Sequence, residues 1–215
     1  MSDTIEELSA EDLSAYLCSK VCHDIISPVG AITNGLELLE EDINGDMRDM
    51  AQELIQKSAT QASAKLKFAR IAYGAAGSAG AEIDTGDAEE VAIGYMAAEK
   101  ADLEWDVTRQ LLPKNQIKLM LNMMLIALNC VPQGGTIKIK MEGDAENPSF
   151  AAICDGKNSR IPEAIANLAS GKSSDSPIDA HTIQPYYAWV LARKIGLGIE
   201  FSKTEEIVTI SARKN

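Results

Sequence analysis

The chain has 215 residues, 46% of them hydrophobic, enough to bury one or two packed domains. Its formal net charge of −12 gives a surface that repels nucleic acid and anionic membrane, so neither is an expected partner. The acidic start MSDTIEELSAEDLSAYL lacks the cationic and apolar regions of a secretory leader, and no stretch reaches the roughly 18 apolar residues of a membrane span, so a cytoplasmic location is expected.

Residues 10–41 read as one long helix, with Leu13, Leu17, Val21, Ile25, Val29, Ile32, Leu36 and Leu39 recurring at steps of three and four. Asn44-Gly45 marks a turn, and Asp46 is placed to cap a second helix over 47–73. That helix sets Met47, Met50, Leu54, Ser58, Gln61, Lys65, Leu66, Ala69 and Tyr73 along an inner face thin in large side chains. Two long helices and a short turn make an antiparallel hairpin. A hairpin alone encloses no core, so pairing of two chains into a four-helix bundle completes it.

GAAGSAGAEIDTG, 74–86, reads as a linker between a hairpin domain at 1–76 and a second domain at 82–215. In that second domain 86–99 reads as helix, 101–108 as strand, 113–131 as a strongly apolar helix, and 134–142 and 149–156 as strands. Residues 161–170 and 182–196 read as helices, and 199–213 closes as a hairpin of strands. Strands packed by helices on one face make an α/β sandwich, and the whole chain is α+β. Trp105 and Trp189 are assigned to its core. Cys18, Cys22, Cys130 and Cys154 form no C-x-x-C pair and read as reduced thiols.

The stretch VCHDIISPVG holds His23, beside Asp24 and shortly before Pro28. At about 100° per residue, the apolar stripe of the first helix centres at roughly 85° from Leu13, and His23 falls at about 280°. The imidazole therefore points to solvent. Ile26, Ser27, Gly30 and Asn34 lie below it on the same outer side, a small-residued strip open to a docking partner. A neutral ring nitrogen can attack an electrophile while a nearby carboxylate raises its basicity. Pro28 removes one helical hydrogen bond just past it. A metal site from Cys18, Cys22 and His23 is set aside, because adjacent residues diverge by about 100° on a helix.

His-Asp-x-x-Ser-Pro resembles the H-box of the dimerising phosphotransfer domains of two-component histidine kinases. The resemblance implies that His23 is the phosphoacceptor and Asp24 its acidic neighbour. Ser27 stands where Thr or Asn usually orients water for dephosphorylation.

The rest of the chain resembles the ATPase domain that follows such a hairpin in kinases, with its nucleotide motifs altered. LMLNMMLIALNCVPQGG, 119–135, is similar to the N-box helix, but in the frame set by Pro132, Gly134 and Gly135 the Mg²⁺-ligating Asn falls on Ile126, which offers no oxygen. Asp155 stands where adenine would be read, followed by Gly156, Lys157, Asn158, Ser159, Arg160, Ile161 and Pro162 in place of D-x-G-x-G-I-P. Where a glycine-rich loop would wrap the phosphates stand His181, Thr182, Ile183, Gln184, Pro185, Tyr186 and Tyr187. With no glycine, and a proline that lacks a donor, they make no N–H cradle. The expectation is a kinase-like shell that binds no ATP or other cofactor.

Both domains together, including KFARIAYG at the end of helix two, resemble the ChpT-type histidine phosphotransferases of alphaproteobacterial cell-cycle relays. The resemblance implies a homodimer that takes phosphoryl from the receiver domain of a hybrid histidine kinase (CckA) and gives it to the receivers of response regulators (CtrA and CpdR), with Mg²⁺ supplied by the receiver. It places the docked receiver over Ile26, Ser27, Gly30, Asn34 and Glu37. Counting back from the turn sets His23 level with about Lys67, bringing Lys65, Lys67 and Arg70 near the phosphate or the receiver's acidic rim. The rival readings are an active kinase and a non-catalytic receiver-binding scaffold.

Overall fold

The computed structural model describes residues 5–41, 45, 47–74, 82–174, 177–180 and 182–214. Helix α1 runs from Ala10 to Glu41 without interruption. Its start is fixed by Ser9, whose Oγ accepts from the Asp12 amide at 3.0 Å and donates to Asp12 Oδ2 at 2.8 Å, a reciprocal cap. Pro28 lies buried within the helix. Helix α2, Arg48–Ala72, packs antiparallel on it, with Gly35 against Ala51 and Ile55, and Asp24 and Ile25 against Lys65 and Ala69. Gly45 takes the turn at φ +79°. Asn44 and the expected cap Asp46 lie outside the described residues, and α2 starts from Met47 with no side-chain cap.

The buried face of α2 is Ala51, Ser58, Ala62, Phe68, Ile71 and Ala72. Met47, Met50 and Leu66, expected on that face, are exposed. Met50 lies 100° off the Ala51–Ser58–Ala62 line, and Met47 and Leu66 each lie one turn beyond an end of it, while the small side chains on the line let the helices approach. On α1, Val29 and Leu36 are likewise exposed, because Pro28 and Gly35, 100° away, form the contact line.

The C-terminal part opens with strand β1 (Glu82–Asp84) and helix α3 (Thr85–Met96). The expected linker is therefore shorter than 74–86: its last five positions are strand and helix start, with Asp84 Oδ1 accepting the Gly86 amide at 2.8 Å. There follow β2 (Ala101–Asp106), β3 (Leu111–Pro113), α4 (Lys114–Cys130), β4 (Gly135–Glu142), β5 (Ser149–Asp155), α5 (Glu163–Ala169), α6 (Ile183–Lys194), β6 (Gly198–Thr204) and β7 (Ile207–Arg213). β1 and β3 pair antiparallel as a two-stranded ribbon that the sequence did not signal. The main sheet has the order β2-β4-β5-β7-β6, with only β2 and β4 parallel.

One face of this sheet is apolar and covered: Ile137, Ile139, Phe150, Ala152, Cys154, Val208, Ile210 and Ala212 are buried, and their neighbours in the strands are not. α4 lies over that face and is buried nearly all round, from Gln116 to Ala127. α6 packs on α4, and Trp189, assigned to the core, is instead half-buried under Arg193 beside Tyr186. Trp105 packs against the core from β2.

The hairpin is rooted in this sandwich at both ends. Phe68, Ile71 and Ala72 of α2 belong to the same buried cluster as α4 and the sheet, and Leu13 and Leu17 of α1 pack against it. Ahead of α1, the Ile5 amide donates to the Gly171 carbonyl at 3.1 Å, the Leu8 amide to Tyr186 Oη at 2.8 Å, and Arg193 pairs with Glu7. No helix among the described residues is long and apolar enough to cross a membrane.

Candidate active site

His23 projects from the outer side of α1 with 54% of its side chain exposed. Its Nδ1 lies 3.6 Å from Asp24 Oδ1, an ion-pair distance that leaves Nε2 as the nitrogen farther from the carboxylate. Asp24 is turned inward, 17% exposed, and both its oxygens accept from Lys20 Nζ at 2.6 Å. The carboxylate borders a small hollow between the helices, shared with Val21, Ile25, Lys65, Phe68, Ala69, Tyr73 and Tyr95.

The hollow is lined by aromatic rings. Tyr95 tilts against Phe68 with ring centroids 4.6 Å apart, and Lys65 Nζ stands 5.7 Å over the Tyr95 ring. Burial pushes the Tyr73 phenol well above its ordinary range, and the nearby Tyr95, Asp24 and Tyr187 push it further. Burial, then the Asp24 and Glu99 charges, raise Tyr95 as well. Both phenols thus stay neutral donors on the inner side of Asp24, and Tyr73 Oη has no hydrogen-bond partner among the described residues.

Below His23, Ile26 is 72% exposed, and Ser27, Gly30, Asn34 and Glu37 are exposed too. A Cβ built on Gly30 would meet nothing within 4 Å, so the strip is open. The three expected cations are dispersed. Lys65 is turned onto Tyr95, Lys67 lines a groove between α2 and α3 with Glu90, Ile93 and Gly94, and Arg70 is exposed near the end of α2. Lys65, expected at a receiver's rim, stands over the Tyr95 ring that α3 brings beneath it. The sequence reading missed Lys20 and Tyr95. The i,i+4 spacing of Lys20 and Asp24 was a usable signal; Tyr95 meets the hairpin only through tertiary packing.

At the positions that resemble a nucleotide site, Ile126 is fully buried in the core. The loop 156–160 is tied down: Lys203 Nζ donates to the Ser159 carbonyl at 2.7 Å, the Arg160 amide to Cys130 O at 3.0 Å, and Asn158 Nδ2 to Gln133 Oε1 at 3.1 Å. Gln184, Pro185, Tyr186 and Tyr187 are the buried first turn and a half of α6, and Gln184 Nε2 donates to the Asn122 carbonyl at 2.6 Å. His181 lies outside the described residues. Asn122, on the buried face of α4, donates from Nδ2 to Ala72 O at 3.3 Å and Lys118 O at 2.8 Å. Lys118 Nζ reaches Tyr73 O at 3.4 Å, and burial, with Lys114 and Lys194 nearby, lowers its ammonium's pKa. Lys118 and Asn122 of α4 therefore face the end of α2, where they bond the Tyr73 and Ala72 carbonyls.

Residues 85–207 match the family model of the histidine phosphotransferase C-terminal domain. Protein phosphotransferase ChpT of Brucella abortus (strain 2308) is 51% identical over 205 residues, 95% of this chain and 97% of that protein. The chain belongs to the histidine phosphotransferase family. A solved structure of a bacterial phosphotransferase superposes on this histidine phosphotransferase with a TM-score of 0.90 at 48% identity, over 98% of this chain and 100% of that one. A more distant likeness, at 10% identity and a TM-score of 0.46, is to the histidine kinase AdeS of Acinetobacter baumannii. As a histidine phosphotransferase the protein is an enzyme of phosphorelay, and a phosphoryl group passes through a histidine on its way between proteins.

Proposed function

We propose that His23 is the phosphoacceptor and that the enzyme relays phosphoryl groups between aspartates of receiver domains without using ATP. The observation that carries this is the outward imidazole backed by an anchored carboxylate, above an open strip on α1. Nε2 attacks the phosphorus of a receiver's aspartyl phosphate in line. The N–P bond forms as the acyl P–O bond breaks, and the receiver's aspartate leaves as a carboxylate. Positive charge develops on the ring, and Asp24, 3.6 Å from Nδ1, is placed to stabilise it. The reverse sequence delivers the group to a second receiver. Such transfer is mainly positioning and charge stabilisation, and the Mg²⁺ it uses belongs to the receiver's acidic pocket.

The receiver docks over Ile26, Ser27, Gly30, Asn34 and Glu37, with Lys67 and Arg70 outside the immediate phosphate site. By the family resemblance the donor is a CckA-type hybrid kinase and the acceptors are CtrA- and CpdR-type regulators in the cytoplasm. Val29 and Leu36, seven residues apart on one exposed face of α1, support pairing of two hairpins into a four-helix bundle. Residues 1–76 serve phosphotransfer and dimerisation, and 82–215 form the kinase-like shell and a second docking surface. A buried Ile126, a tied-down loop at 156–160 and a lid position filled by α6 support the reading that this shell binds no nucleotide.

The test is incubation with a CckA-type receiver domain carrying radiolabelled phosphate, with no ATP present. Label is expected on the wild type and not on His23→Ala, and labelled ATP alone is expected to give none. Label persisting on His23→Ala would remove His23 from the reaction, and labelling from ATP alone would make the protein a kinase.

A further inference from the structure

Lys20 stands one helical turn before His23 and has both oxygens of Asp24 within 2.6 Å of its ammonium. The pair is nearly enclosed, at 16% and 17% exposure, whereas the neighbouring imidazole is half open. Helix stability does not account for it. An i,i+4 pair with the cation on the N-terminal side is the weaker orientation, and exposed pairs of this kind contribute only about 0.3–0.5 kcal/mol. The second cation at the hollow, Lys65, lies over the Tyr95 ring, so the close contacts to the carboxylate are those of Lys20. Without Lys20, Asp24 would lose its ion-pair partner in a hollow lined by Phe68, Tyr73 and Tyr95, with Lys65 turned onto the Tyr95 ring. It would then be released to turn out to water, which removes a fixed negative charge from beside Nδ1.

We infer that Lys20 is a positioning residue for phosphotransfer: it clamps Asp24 in the pose that keeps His23 Nδ1 facing a carboxylate and Nε2 facing the incoming phosphorus. The inference rests on the assignment of His23 as phosphoacceptor. The ammonium of Lys20 is spent on Asp24 and lies off the exposed strip at Ile26, Ser27 and Gly30, so its removal should slow the step at the imidazole and leave docking alone.

The experiment measures transfer from the same labelled receiver domain, at saturating and subsaturating receiver, for Lys20→Met, Lys20→Arg, Asp24→Asn and Lys20→Met/Asp24→Asn, with melting curves as a check on folding. Lys20→Met is expected to lower kcat about tenfold while KM stays within about twofold. Lys20→Arg, which keeps the charge and a forked donor, is expected to recover most of the rate. The double variant is expected to be no slower than Asp24→Asn alone, since the clamp then has nothing to hold. The inference is overturned if Lys20→Met transfers at the wild-type rate, if its defect lies in KM, if Arg fails to rescue it, or if the two losses multiply. Failure of the His23 assignment looks different: the wild type would take no label, or His23→Ala would keep it.

Discussion

At Gly35 the two helices of the hairpin lie in close contact, and one residue there governs how near they pack. A Cβ there would lie 2.6 Å from Ile55 Cγ1 and 3.2 Å from the Ala51 carbonyl. A β-branched side chain has no room unless the helices part. Gly35→Val is expected to destabilise the fold by about 1–3 kcal/mol, read as a lower midpoint in urea unfolding, and an unchanged midpoint would mean the helices are not held this close. Nothing in the local sequence separates Gly35 from Gly30, which faces open solvent only five positions earlier. The phase of the helix did place His23, Ile26 and Ser27 outside, because a 32-residue amphipathic helix averages its pattern over many turns. The same phase sets Asp24 at about 20°, toward the apolar stripe, but it could not show the partners that hold it there, Lys20 and the rings contributed by α2 and α3.

Among the elements, α4 joins the two halves of the chain. It reads from sequence as a strongly apolar helix, and its burial on all sides follows from being covered by the sheet on one side and by α2 and α6 on the other. Its polar exceptions are the informative residues. Asn122 is fully buried and donates from its amide to the Ala72 carbonyl of α2 and to the Lys118 carbonyl of its own helix, yet its Oδ1 has no partner among the described residues. Asn122→Ala leaves the Ala72 carbonyl short of a donor and opens a small cavity, so a loss of about 2 kcal/mol is expected. The check is the urea midpoint at unchanged m-value; a neutral result would show that the helix end is satisfied another way. The long elements were legible in sequence because their periodicity is strong. The β1–β3 ribbon was not, since three-residue strands carry no period and one of them lies in a stretch of small and turn-forming residues.

At the scale of the whole molecule, the exposed Val29 and Leu36 predict how the chain assembles. Replacing both by Glu sets charge on the face expected to meet a second copy, and light scattering after gel filtration should report a monomer where the wild type reports a dimer. A wild type that elutes at the mass of a single chain would remove the bundle. The sequence reads 74–86 as a linker between domains, and in the structure both α2 and the segment ahead of α1 also contact the sandwich. A tether at one end alone would let the sheet domain swing. With two footings, at Phe68–Ala72 and at Ile5–Leu17, rotation about one root is resisted by the other. A hairpin braced at two roots holds the His23 imidazole at a set place relative to the sheet, so under the proposed reading the partner has to come to the ring.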